Sequence, residues 1–265
     1  MYAASTAMKA LDTKLSVVAN NLANINTNGF KASRTNFEDL FYQIRREPGV
    51  RDTNDEATPH GIQVGLGVQV SGTQLDFSKG GIDQTNRKLD LTVDGEGFFQ
   101  VRTVYNGQET IGYTRSGNFT NNANGDLTLT NSIGSLLEPV INIPDGANME
   151  SISIGLNGTV TALLDGATVP TELGQIELAR FVNAEGLKQI GKNLYVPTDA
   201  SGEPLLGEPL TEGRGGVLSG ALEQSNVNPV RELVDLILTQ RAFEMNSRSI
   251  ESADEALRVI SNLRT

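Results

Sequence analysis

The side chains able to do acid–base, nucleophilic or metal chemistry are few in kind. His60 is the sole histidine and cysteine is absent. Disulfides, thiolate metal sites and thiol nucleophiles are therefore excluded together, and neither a zinc site nor a Ser-His triad can be assembled from the usual parts. The 32 acidic residues offer many carboxylate pairs of the sort a glycosidase uses, but no spacing singles out two of them. Gly186-Leu187-Lys188-Gln189-Ile190-Gly191-Lys192-Asn193 approaches a phosphate-cradling loop. Asn193, however, stands where a hydroxyl would meet a magnesium ion, and the strand-like Leu194-Tyr195-Val196-Pro197 follows where a helix N-terminus is needed. Gly65-Leu66-Gly67 opens like a dinucleotide fingerprint, yet Val70 holds the third glycine position. Asn121 to Asp126 faintly resembles a calcium loop, with too few carboxylates and Ser132 in the place of the closing glutamate. No catalytic, cofactor or metal site is expected.

The elements that would have to position such groups are themselves more informative. At the N-terminus Ala4, Met8, Leu11, Leu15, Val18, Leu22 and Ile25 recur at alternating steps of 4 and 3. Near the C-terminus Leu233, Leu236, Gln240, Phe243, Ser247, Ile250, Ala253, Leu257 and Ile260 keep nearly the same rhythm. A seam of that period wants another helix against it, so the two ends are expected to pair with each other and with further copies. The first helix is expected from about residue 4 to Asn26, roughly 35 Å at 1.5 Å per residue, with Gly29 as its left-handed terminator. The last helix opens with Asn228 as N-cap and Pro229 at the first helical position and runs nearly to Thr265.

Between the helices the period changes to 2. Ile62, Val64, Leu66, Val68 and Val70 alternate with smaller or polar residues, and further strands are expected at 89–93, 98–101, 119–120, 127–129, 152–154, 176–181 and 194–196. Turn signals separate them: Asn106-Gly107, Asn124-Gly125, Asp145-Gly146, Asn157-Gly158 and Asp165-Gly166. The fold class is mixed α and β, mainly β by domain, with paired terminal helices and a central irregular antiparallel β-domain. Residues 1–43 and 225–265 form the helical part, 44–66 an extended arm, 67–94 and 197–224 connecting segments, and 95–196 the central β-domain. The aromatic-rich stretch from Phe30 to Tyr42 is expected to pack onto another element.

Charge follows the same division. The net charge is -11. Residues 1–46 carry six Lys/Arg against three Asp/Glu and residues 228–265 five against six, so the middle holds -13. Such acidity disfavours a nucleic-acid partner and suits a solvated outer surface. No signal peptide is recognisable, and no apolar run approaches the roughly 18 residues a membrane helix needs. By that logic the chain stays in the cytoplasm unless a dedicated secretion machine reads another signal. Asn20, Asn21 and Asn24 are poor helix formers close together; helix termination and register-setting bonds to neighbouring helices both remain open.

Three motifs in order resemble one family. Residues 19–31, from Ala19-Asn20-Asn21-Leu22-Ala23-Asn24 to Gly29-Phe30-Lys31, are similar to the N-terminal signature of the bacterial flagellar rod and hook family. Gly95-Glu96-Gly97-Phe98-Phe99-Gln100-Val101 with Tyr113-Thr114-Arg115-Ser116-Gly117-Asn118-Phe119 resembles its central β-domain. Ser225-Asn226-Val227-Asn228, Glu232-Leu233-Val234 and Gln240 to Asn246 resemble its C-terminal helix. Phe37 to Gln43 and Arg46-Glu47-Pro48-Gly49 most resemble the distal rod members, while hook and proximal rod members are similar at both ends. The resemblance implies a structural subunit of a stiff, hollow helical polymer and no enzymatic activity. Its helices would assemble through Met8, Leu11, Leu15, Val18, Asn21, Leu22, Asn24, Ile25, Leu233, Leu236, Phe243, Ile250, Leu257 and Ile260. A rod-specific arm would carry Arg45, Arg46, Pro48, Gly49 and Pro59. Implied partners are further copies, proximal rod and hook proteins, periplasmic and outer-membrane ring proteins and the flagellar type III export apparatus, without membrane insertion. The implied location is the flagellar basal body, from periplasm to outer membrane, reached without a cleaved signal peptide. From the residues alone, a glycan-processing or glycan-binding β-domain tethered by helices and a small soluble oligomer remain alternatives.

Overall fold

A computed structural model describes residues 2–47, 49, 60–144, 147, 151–164 and 169–263. The chain divides into two units, one of residues 1–23, 33–75 and 228–265, the other of residues 24–32 and 76–227.

The first unit holds both helices, α1 (Tyr2–Ala23) and α2 (Pro229–Leu263), packed against each other. Asn228 caps α2, its Oδ1 accepting from the Val230 and Arg231 amides at 3.1 and 3.2 Å, which satisfies two donors that a helix start leaves free. Between the helices run β1 (Ser33–Asp39), β2 (Tyr42–Arg46), β3 (Ile62–Gly65) and β4 (Val68–Leu75). β1 pairs antiparallel with β4 from Ser33↔Leu75 to Asp39↔Val68, and β2 with β3 from Tyr42↔Gly65 to Arg46↔Ile62. α1 also packs on β1 and β4. The strand expected over 62–70 is broken at Gly67, whose φ is +119. A Cβ there would collide with Thr6 of α1, so this glycine serves close backbone approach and not a nucleotide.

α1 stops at Ala23, three residues short of the expected end, because Asn24 closes a turn with Thr27 through Thr27 N to Asn24 O at 3.1 Å. Asn24 and Ile25, expected on the helix, therefore lie in the turn beyond it. Gly29 is a turn glycine with φ +70, and its amide donates to Glu223 O at 2.7 Å. A Cβ on it would come within 2.6 Å of the Ser116 backbone nitrogen.

The second unit is antiparallel throughout its ladders. β5 (Ile82–Gln84) pairs with Ala221–Glu223 and β6 (Leu91–Asp94) with Gly216–Ser219. The longest hairpin joins β7 (Phe98–Tyr105) to β8 (Gln108–Thr114) through Asn106-Gly107, within a nine-stranded sheet. A separate three-stranded sheet holds 153–154, 159–162 and 171–175. Leu91, Val93, Phe99, Val101, Phe119, Leu137, Ile176, Leu178 and Val217 are fully enclosed and form the core. The phosphate-loop look-alike is a hairpin between strands 188–191 and 194–196, turned by Lys192 and Asn193 at φ 57 and 58. Asn122 Oδ1 accepts from the Asn124 and Asp126 amides, which makes the calcium look-alike an Asx turn. The turn signals at 145–146 and 165–166 lie outside the described residues.

Candidate functional site

Among the described residues no three His, Asp or Glu side chains converge as metal ligands would, and no helix is long and apolar enough to cross a membrane. His60 is exposed at the end of the β2–β3 ribbon, its carbonyl accepting from Arg46 Nη2 at 3.1 Å. Exposed apolar side chains gather instead on the helix pair and on the ribbon, and these surfaces are the candidate site.

On α1 Val18 is buried and Met8, Leu11, Leu15 and Leu22 are half-buried. On α2 Leu236 and Ile250 are half-buried, whereas Leu233, Phe243, Leu257 and Ile260 are exposed. The covered line of α2 runs through Glu232, Leu236, Thr239, Ala242, Asn246 and Ile250. The expected seam passed through Gln240, which is exposed; Thr239 takes its place, with its hydroxyl donating to Asp235 O at 2.6 Å. A small side chain whose polar atom is satisfied on its own helix admits close packing there. This leaves Val230, Val234, Ile237, Leu238 and Met245 facing outward, between 48 and 70 % exposed. Single exposed apolar side chains need no explanation, but a helical stripe of them marks an interaction surface.

Asn21 is buried, and its amide is spent inside the unit: Nδ2 donates to Ser33 O at 2.8 Å and Oδ1 accepts from Ser33 N at 3.0 Å. It ties the end of α1 to the start of β1, a use that neither helix termination nor bonding to a neighbouring helix anticipates.

Every residue of β2 and β3 is exposed, Arg45 and Arg46 included. Phe41 is 89 % exposed, and Phe37, Tyr42, Ile44, Ile62 and Val64 are open too. Of the stretch expected to pack down, Phe30 is buried and Leu40 half-buried, whereas Phe37, Phe41 and Tyr42 are exposed. A two-stranded ribbon with this much apolar surface is marginal by itself and wants a covering layer. Gly49 is exposed at φ +84. Pro48, Pro59 and residues 50–58 lie outside the described residues.

The second unit holds a charged centre that no periodicity or spacing marks. Lys31 Nζ lies 2.7 Å from Glu223 Oε1, and both side chains are completely enclosed. Lys31 also donates to Ser78 O at 2.7 Å, and Gly80 N donates to Glu223 Oε1 at 3.0 Å. Arg115 Nη1 approaches Glu223 Oε2 to 3.6 Å, donates from Nη2 to Gly95 O at 2.8 Å, and stacks over Phe98. Desolvation pulls the Lys31 and Arg115 pKa values down, and the Glu223 carboxylate partly opposes both. The available signal was that Lys31 and Arg115 are the cations inside two of the recognised motifs.

Comparison with known proteins agrees with these motifs. Residues 1–31 match the family model described as flagella basal body rod protein, residues 92–162 the flagellar hook protein FlgE/F/G D1 domain, and residues 218–263 the flagellar basal body rod FlgEFG protein C-terminal. Full-length similarity extends to proteins named flagellar basal-body rod protein FlgG. The chain is 42 % identical to that of Buchnera aphidicola subsp. Schizaphis graminum over 263 residues, covering 99 % of this chain and 98 % of the relative. It is 39 % identical to that of Borreliella burgdorferi, covering 100 % and 98 %, and 36 % identical to that of Bacillus subtilis, covering 100 % and 98 %.

Proposed function

The chain belongs to the flagellar basal-body rod protein family, and we propose from that premise that it is a distal rod subunit whose work is mechanical. Copies stack with α1 and α2 innermost as a hollow helical tube, and the acidic β-rich unit forms the outer shell. The tube transmits torque across the periplasm to the hook. Its partners are further copies, proximal rod and hook subunits, the rings that surround the shaft and the export apparatus that delivers the unfolded chain.

The observation that carries this reading is the uncovered stripe Val230, Val234, Ile237, Leu238 and Met245 on a helix whose opposite side is already occupied by α1. Fully burying a side chain of this kind is worth roughly 1.5–3 kcal/mol, and since these five are half to two-thirds exposed each adds about 1–2 kcal/mol to an assembly, before the cost of ordering is subtracted. Replacing Ile237 and Leu238 by Glu leaves an exposed surface exposed in the monomer, so its melting temperature should hardly move, while polymerisation should fail. Polymers that form normally from this variant would remove the stripe from the interface.

The β2–β3 ribbon, with its exposed apolar residues and Arg45 and Arg46, supports a second element of the proposal: the arm braces neighbouring copies and stiffens the shaft. Helical reconstruction of polymers formed by the purified protein tests both elements together. The expected result is a straight polymer with the helices inside and the ribbon between copies, and deletion of residues 46–61 should make it curved or compressible. A curved polymer from the intact chain would point to a hook-like subunit, and a straight, stiff one from the deletion would discard the bracing role.

A further inference from the structure

The four Asn-Gly pairs, which the sequence marks only as turns, differ sharply in chemical exposure. In an Asn-Gly pair the glycine amide nitrogen can attack the asparagine side-chain carbonyl carbon. A carbon–nitrogen bond forms, ammonia leaves, and the resulting five-membered succinimide takes up water at either carbonyl to give Asp or isoAsp. Glycine permits this because no side chain shields its nitrogen, and Asn is thermolabile for this reason. The reaction needs only water, but it also needs a glycine amide free to lose its proton and a backbone free to rotate.

Three of the pairs are denied both. Gly29 is buried and its amide is bonded to Glu223 O at 2.7 Å, while Asn28 O accepts from Asn193 Nδ2 at 3.0 Å. Gly125 is buried and its amide is bonded to Asn122 O at 3.0 Å; Asn124 is fixed at its nitrogen by Asn122 and at its carbonyl by Asn142. Gly158 is buried and its amide is bonded to Gly155 O at 2.9 Å, and Asn157 Oδ1 accepts from Thr159 N at 3.3 Å.

The fourth is open. Asn106 and Gly107 form the two-residue turn of the β7–β8 hairpin at φ 52 and 78, both exposed. Among the described residues nothing accepts a hydrogen bond from the Gly107 amide, and a Cβ placed on Gly107 would meet nothing within 4 Å. The Asn106 side chain meets the Tyr105 hydroxyl, as does the Lys188 ammonium, and the Gly107 amide takes no part in that contact. We propose that Asn106 is a site of spontaneous deamidation in the folded protein, converting to Asp and isoAsp while the other three Asn-Gly pairs stay intact. The extra backbone methylene of isoAsp falls at the solvent end of the hairpin. The core side chains Phe99 and Val101 lie at its far end, so the altered chain stays folded and the product accumulates with the age of each molecule. The inference stands apart from the assembly reading.

The test is incubation of the folded, full-length protein at mildly alkaline pH, followed by trypsin digestion and mass spectrometry. Cleavage after Arg102 and Arg115 isolates Asn106 as the single asparagine of its peptide. Conversion at Asn106 should exceed that at Asn28, Asn124 and Asn157 by about tenfold or more, the factor that even a modest local opening free energy imposes on the protected sites. In urea the four rates should converge, since the sequence pair is the same in each. Comparable rates in the folded protein, or an Asn106 that stays intact when folded and converts only in urea, would overturn the proposal.

Discussion

Replacing Glu223 by Gln changes almost no volume and removes the one carboxylate that faces two enclosed cations. At an effective dielectric of about 20, gross attraction across 2.7 Å is about 6 kcal/mol and across 3.6 Å about 5 kcal/mol. Desolvation of each ion offsets several kcal/mol of this, so the native arrangement is worth far less than the sum. The substitution removes the attraction and leaves the cost of burying Lys31 and Arg115, and breaking a buried pair in this one-sided way destabilises by about 3–5 kcal/mol. The lower end is expected, because Lys31 keeps Ser78 O at 2.7 Å and Arg115 keeps Gly95 O at 2.8 Å. For a unit of this size that is a melting-temperature loss of roughly 6–12 °C. Tryptophan is absent, so urea unfolding followed by tyrosine fluorescence is the natural assay, with Tyr113 and Tyr195 both inside the affected unit. Lys31→Met in the same background completes a double-mutant cycle and should recover part of the loss, since the stranded ammonium is gone. The pH dependence adds a sign. The folded Lys31 pKa lies below its ordinary value of 10.5, so the unfolded chain holds more protons between those two values and stability rises with pH across that window. Removing Glu223 widens the window downward, so the penalty should shrink as pH approaches 10.5. A loss under about 1 kcal/mol, or strictly additive single and double variants, would refute the reasoning.

What the sequence discloses about this molecule follows the range of the forces involved. α2 was legible because its start is written locally, as Asn228-Pro229, and its apolar residues repeat at a helical period. α1 ends at Ala23 and not at the expected Asn26 because the turn made by Asn24 and Thr27 depends on a hydroxyl and a carbonyl that carry no periodic signal. The seven strands expected in the second unit are found within about four residues of their expected places, since turn glycines punctuate them, whereas others such as 108–114, 171–175 and 216–219 carry no alternation strong enough to announce them. β1 was not legible: Ser33–Asp39 is polar with no alternation, and its partner β4 lies some forty residues away in sequence. Thr239 displaced Gln240 from the helix seam because packing depends on volume as well as on spacing. Lys31, Arg115 and Glu223 come from three remote segments, and nothing local distinguishes a cation that will be enclosed from one that will be solvated. The exposed α2 stripe could be read as an apolar periodicity, but only coordinates separate the side that α1 covers from the side left for a partner.

Asn21→Leu should destabilise the first unit by about 2–4 kcal/mol, since it strands both the Ser33 amide and its carbonyl; hydrogen exchange at Ser33 reports it, and unchanged protection there would dismiss the tie. Tyr195→Phe should lose the hydrogen bond to Gln189, a pH-independent offset of about 1 kcal/mol, and beyond that offset should change the alkaline limb of stability. Tyr195 is 2 % exposed and packs edge-on to Phe77 at 5.4 Å, and burial raises its hydroxyl pKa from 10.0 to about 12. The phenol therefore ionises more readily in the unfolded chain, so its contribution is fully present below pH 10 and is lost as pH climbs from 10 to about 12. At about 1.4 kcal/mol per pH unit that span amounts to roughly 3 kcal/mol. It is opposite in sign to the Lys31 effect, whose gain is complete by 10.5. Urea midpoints measured at stepped pH should thus fall steeply above pH 10 in the native chain and only shallowly in Tyr195→Phe, the remainder coming from Tyr113, whose pKa burial also raises. Equal slopes in the two proteins would mean that the Tyr195 hydroxyl reaches water in the folded state, and the enclosed aromatic cluster around Phe98 would have to be redrawn.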